Sequence, residues 1–236
     1  GPYGWIDNFD RKWTPNTTDA DGLRYCFGNQ PAIAHWNLYQ LARAVRVLFK
    51  SDEPLQKGLD HFENTYKANE KRVISNKLGL SQVTENDLSL MNNLYDLLEL
   101  SEIDMTIFFT ALNRLNINSP NLSVFDEAFY SNEKKQRNIA AFTDWLDRYV
   151  SRVLNDSISK EKRNQLMNRN NPKFILRNYL VQEAIESAEN GDFTGITKLM
   201  EIIRRPYEKH DDRHLLARRP EWARKKPGCS MLSCSS

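Results

Sequence analysis

From residue 32 onward the apolar positions recur at steps of three and four, the period of an α-helix that buries one face. Ala34, Leu38, Leu41, Val45 and Leu48 predict a helix over about 32–50. Pro31 suits its first turn, where no N–H is needed. Ser51-Asp52 followed by Pro54 marks a stop and a new start. Leu55, Leu59, Phe62, Tyr66 and Val73 then predict a longer helix ending near Gly79. Thr84 and Asp87 read as a helix cap ahead of Leu88, Met91, Tyr95 and Leu98. Leu90, Leu94 and Leu97 widen that face, which predicts deep burial. Ser101 and Asp104 repeat the cap pattern before Met105, Phe108, Phe109, Leu112 and Leu115.

Residues 116–134 are rich in Asn and Ser and contain Pro120, which predicts a loop with one helical turn near Phe125–Phe129. Ile139, Phe142, Leu146, Tyr149, Val150 and Val153 give the clearest helical face of the chain. A basic helix is expected at about 159–169, broken by Asn170-Asn-Pro172. A last pair is expected at 178–189 and 193–204, with Gly191 as the stop and Asp192 as the next cap. Pro206 ends the second, and beyond it no period is sustained. The fold class is therefore mainly α, without an internal repeat.

The first thirty-one residues differ from all of this. They are rich in Gly, Pro, Asn and Asp and carry Tyr3, Trp5, Phe9, Trp13, Tyr25 and Phe27. Aromatics can pin such a loop to a surface while the small polar residues set its turns. Any β-structure is expected as a short hairpin here. The chain thus divides into a loop at 1–31, helices at 32–205 and a basic, Cys-containing tail at 206–236.

Composition narrows the function classes. The 236 residues can bury a sizeable core. No apolar run approaches the length of a membrane span, so no membrane partner is expected. Net charge is +2, and the basic residues after 204 lack the basic-aromatic pattern of a nucleic-acid groove. They read as a solvated tail or as a contact for an acidic surface or a phosphate. Three cysteines, Cys26, Cys229 and Cys234, make no disulfide framework and suit a reducing compartment.

Read for chemistry, the chain holds neither a Walker nor a dinucleotide glycine motif. Asp7, Asp10, Asp19 and Asp21 cluster in the opening loop, where turn formation explains them. His35 and His61 read as packing or surface residues. His210 and His214 are spaced for a metal on a helix but lack a third ligand.

Family resemblance enters through particular residues. Gly1-Pro-Tyr-Gly-Trp-Ile-Asp7, Asn16-Thr-Thr-Asp19, Arg24-Tyr25, Gln30-Pro31 and Trp36-Asn-Leu38 resemble the selenoprotein O family. So do Asn171-Pro172, Arg177-Asn178, Glu183-Ala184, Asn190-Gly191-Asp192, Arg204-Arg-Pro-Tyr207 and the closing Cys234-Ser-Ser236. That resemblance implies a protein-kinase-like fold acting as a protein adenylyltransferase. Such an enzyme uses ATP and Mg²⁺ to move AMP onto Ser, Thr or Tyr hydroxyls of protein substrates. The helices would be the lower lobe with the family's C-terminal extension, and residues 1–31 an activation-segment-like loop.

In that family the metal-binding, nucleotide-binding and catalytic residues precede the position of Gly1. The expectation is a C-terminal half, cut just after the active site and inactive alone, with no catalytic, cofactor-binding or metal residue of its own. Its place would be cytoplasmic in bacteria and mitochondrial in eukaryotes. Rival readings are protein kinase activity, or a non-enzymatic helical interaction module with a redox-active tail.

The resemblance also implies a redox role for Cys234, which stands where selenocysteine-bearing members carry selenocysteine. Other members place a partner cysteine just before the Asn16 motif, where this chain has Pro15. Cys26 is the candidate substitute, with Cys229 as an alternative partner for either.

Overall fold

The computed structural model describes residues 5–14 and 22–229. The described chain is mainly α. Its helices are α1 (Gln30–Val45), α2 (Glu53–Leu78), α3 (Glu85–Leu100), α4 (Met105–Arg114), α5 (Asn132–Leu154), α6 (Lys160–Asn170), α7 (Asn178–Glu189), α8 (Thr194–Ile203) and a single turn, α9 (Arg213–Leu216). Short 3₁₀ segments lie at Phe27–Asn29, Arg46–Leu48, Leu122–Ala128 and Glu221–Arg224.

Two of the predicted caps are in place, while Asp192 precedes the N-cap of α8, Phe193, which makes no side-chain cap bond. Thr84 and Asp87 form a reciprocal capping box on α3. Asp104 caps α4 by accepting from the Ile107 amide. Ser101 is not a second cap: it lies one residue past α3 and is buried, accepting from Asn138. Gly79 closes α2 in the left-handed conformation at φ 69°. A Cβ there would lie 2.6 Å from Arg163 Cγ and 2.7 Å from Met167 Sδ. Only glycine lets α6 come so close to the end of α2.

The main core joins the end of α2 to α3, α4 and α5, with Phe9 of the opening loop. Phe108 stacks on Phe125 at 4.5 Å, and Trp145 stacks on Tyr149 at 5.4 Å. Both polar tips in the second pair are used. Trp145 Nε1 donates to Leu90 O, and the Tyr149 hydroxyl donates to Leu78 O. Arg152 pairs with Asp87 and Asp156, tying α5 to the start of α3.

Two expectations are corrected. The first thirty residues hold no hairpin among the described residues. The isolated bridges join Asn8 to Asp104 and Ile103 to Phe129 instead. The expected helix at α1 is present, yet none of its residues is buried, and Leu41 and the following Leu48 are 57% and 79% exposed. Finally, residues 206–229 are not a free tail. Leu215, Ala223 and Cys229 join Phe174, Tyr179, Leu180 and Ile202 in a second core around α7 and α8. The 3.6-residue period is too short-lived there to be seen in sequence, since α9 is one turn long.

Candidate functional site

Asp104 organises the site. Its backbone is extended just before α4, so it can cap the helix and pair with a neighbouring strand-like segment at once. The opening loop lies antiparallel to it. Phe9 N–H donates to Ile103 O at 2.7 Å, and Asn8 bridges to Asp104. Phe9 fills the core beside this contact, stacked on Tyr95 and edge-on to Phe27. Arg11 then pairs with Glu99 and Asp96 on α3. The aromatic pinning expected of this loop is thus realised by Phe9, with an ionic contact beyond it.

This pairing carries Asp7 into a buried ionic cluster. Arg177 Nη1 donates to Asp104 Oδ2 at 2.6 Å and lies 3.8 Å from Asp7 Oδ1. Arg219 Nη1 lies 3.4 Å from Asp7 Oδ2. Tyr130 donates its hydroxyl proton to Asp104 Oδ2 and accepts from the Arg219 amide. The Arg219 guanidinium sits over the Tyr130 ring. Two carboxylates and two guanidiniums balance in charge, which is what allows the group to leave water. Burial still pushes the Asp7 carboxyl above its usual range, against the pull of Arg219 and Arg177. Burial lowers the Arg177 guanidinium and the charge of Asp104 raises it; the net shift is upward.

Next to the cluster, Asn178 reads the loop backbone. Trp5 N–H donates to Asn178 Oδ1 at 3.0 Å, and Asn178 Nδ2 donates back to Trp5 O at 2.9 Å. Arg177 and Asn178 are the N-cap and first residue of α7, so one helix start holds both the charge and the backbone of the loop.

Sequence reasoning missed Asp7 as an ionic residue, because turn chemistry explains Asp in a loop. That explanation holds for Asp10, whose Oδ1 accepts from the Lys12 amide. Asp19 and Asp21 lie outside the described residues. The one signal at Asp7 was its place in an aromatic-rich, family-like run. The basic segment after 204 is corrected too. Arg219, Arg224 and Lys226 pair with Asp7, Glu102 and Glu186, so much of its charge is met within the molecule.

Of the redox candidates, Cys26 and Cys229 are buried free thiols, not bridged to each other. Burial pushes the Cys229 thiol up despite the nearby Lys226 ammonium. Cys234, and with it the pairing to Cys26, lies outside the described residues. His214 contacts Glu183, and His210 contacts the Arg205 carbonyl, so the two do not converge. No cluster of three or more metal-ligating side chains occurs among the described residues. No helix among them is long and apolar enough to cross a membrane.

Comparison with known proteins places this arrangement. The family model described as protein adenylyltransferase SelO matches residues 1–204. A protein of Xanthomonas oryzae pv. oryzae (strain PXO99A), described as protein nucleotidyltransferase YdiU, is 47% identical over 237 residues, covering 100% of this chain and 46% of that relative. A relative of the same description from Xanthomonas campestris pv. campestris (strain 8004) is 48% identical with the same coverage. The chain therefore spans about half the length of the curated relatives it matches. The Asp7 loop and the Arg177-Asn178 helix start both lie within the matched span, and the chain belongs to the SelO family.

Proposed function

We propose that the full-length protein is a kinase-like adenylyltransferase that moves AMP from ATP to Ser, Thr or Tyr hydroxyls of proteins, with Mg²⁺. The observation that carries this reading is end-to-end similarity to proteins described as protein nucleotidyltransferases. The two carboxylates of the buried cluster, Asp7 and Asp104, face Arg177 and Arg219. The family resemblance, not the geometry, assigns ATP and Mg²⁺ to the part of the full-length protein outside this chain, and the chain alone is expected to be inactive.

On this reading the chain supplies the lower-lobe helices and fixes the loop that borders the active site. The exposed apolar residues of α1 and the turn after it, among them Leu41, Val47 and Leu48, are the face on which the remainder of the protein packs. The relatives' extra length supports that assignment. Their bacterial origin favours the cytoplasm as the place of action.

The test is transfer from ATP labelled at the α- or the γ-phosphate, using the full-length protein and this chain. Label from the α-phosphate only, and only with the full-length protein, is expected. Label from the γ-phosphate would make the enzyme a kinase, and transfer by this chain alone would refute the division of labour. Silence from both would favour the interaction module.

A further inference from the structure

A cavity of about 480 Å³ lies between α4, the end of α6 and the segment 206–216. Its walls are tied together. Asn113 on α4 donates to Asn168 on α6, and the Thr110 hydroxyl reaches Pro172 O. On the far side Pro206 O accepts from the amides of Lys173 and Phe174. The His210 ring contacts Arg205 O, which fixes the turn carrying Lys209.

Charge in the lining is one-sided. Arg114, Lys173, Lys209 and His210 line the cavity, with Glu127 as the acid among the lining residues. No ion pair to Arg114, Lys173 or Lys209 occurs among the described residues, whereas neighbouring cations such as Arg205 and Lys198 are paired. Behind the lining residue Asn171 stands Lys77, whose amine faces Asn171 Oδ1 at 3.4 Å and the Phe109 ring. No carboxylate is paired with that amine among the described residues either. The remaining surface is mixed. Ile107, Met167 and Leu216 are apolar, while Thr110 and the asparagine amides can meet hydroxyl groups.

We propose that this cavity binds a phosphorylated small molecule with a hydroxylated body, such as a sugar phosphate. Its phosphate lies against Arg114, Lys173 and Lys209. The volume falls within the range of about 300–1,000 Å³ usual for small-molecule sites. Clustered, unpaired cations favour a doubly charged phosphate over a carboxylate. The amides and Glu127 provide for the hydroxyls.

The experiment is calorimetric titration of the full-length protein with ribose 5-phosphate, inorganic phosphate and unphosphorylated ribose. Wild type should bind ribose 5-phosphate more tightly than inorganic phosphate, and ribose should give no heat. The exposed double variant Arg114→Ala/Lys209→Ala should weaken ribose 5-phosphate binding at least about tenfold, the equivalent of one lost charged contact. Lys160→Ala, on the outer start of α6, should leave it unchanged. Equal binding by wild type and the double variant would overturn the site. Equal affinity for inorganic phosphate and ribose 5-phosphate would overturn the hydroxyl-reading part of it. Absence of binding to the wild type would overturn it altogether.

Discussion

Arg177 and Asp104 form a buried ion pair at 2.6 Å across 73 residues of chain, and Asp7 shares the same guanidinium at 3.8 Å. Removing the guanidinium would leave two carboxylates facing each other away from water. Arg177→Met should therefore destabilise the chain by about 3–5 kcal/mol in urea unfolding at neutral pH. Adding Asp7→Asn should recover part of the loss, because one uncompensated charge disappears. Equal stability of wild type and Arg177→Met would show the cluster to be energetically idle.

Much of this cluster could not be seen in the sequence, although its elements could. The helical period marks α2 to α5, Asn-Pro, Gly and Asp breaks mark α6 to α8, and Thr84, Asp104 and Gly79 act locally, within one turn of themselves. Asp7, Arg177 and Arg219 have no local signature: each is explained only by partners far away in the chain. For the same reason the segment after Pro206 looked like a tail. Its buried residues, Leu215, Ala223 and Cys229, follow no period because they enter the second core from separate turns. At α1 the apolar pattern marks a helix face that the described residues leave uncovered, because the period shows a face and not what covers it.

Lys77 should give the protein a distinct pH dependence. Burial pushes its amine down from 10.5 to about 8. The folded state thus holds this proton less firmly than the unfolded state does. The group's stabilising contribution is present above pH 10.5 and is lost as pH falls toward 8. Lys77→Met should accordingly be more stable than wild type at pH 7, by on the order of 1–3 kcal/mol. The gain should shrink between pH 8 and 10.5, as read from denaturant midpoints. A gain independent of pH would assign the effect to packing instead.

Gly79 combines a left-handed backbone with a tight approach of α6. Gly79→Ala should cost roughly 1–2 kcal/mol from conformation alone. Displacement of Arg163 and Met167 should add to that. Thermal melting of the variant should show a clear fall in Tm, and an unchanged Tm would mean that α6 can move away freely.

The exposed apolar residues near the end of α1 should matter only in the longer protein. Val47 is 87% exposed, so Val47→Asp should change the stability of this chain by no more than about 0.5 kcal/mol. In the full-length protein the same change should cost more than about 2 kcal/mol, because a charge would be trapped in an apolar contact. Equal, small effects in both would place that face in solvent.

The role of the loop is tested most directly at Asn178, which holds the Trp5 backbone through two hydrogen bonds. The measurement is transfer of label from α-labelled ATP to protein by full-length wild type and Asn178→Ala, with Tm recorded for both. The account predicts transfer by wild type and a loss of at least about tenfold in the variant, since a displacement of 1 Å near a reacting centre can cost about a hundredfold. The Tm should fall by only a few degrees. Undiminished α-label transfer by a folded Asn178→Ala variant would contradict the claim that this helix start positions the loop for adenylyl transfer.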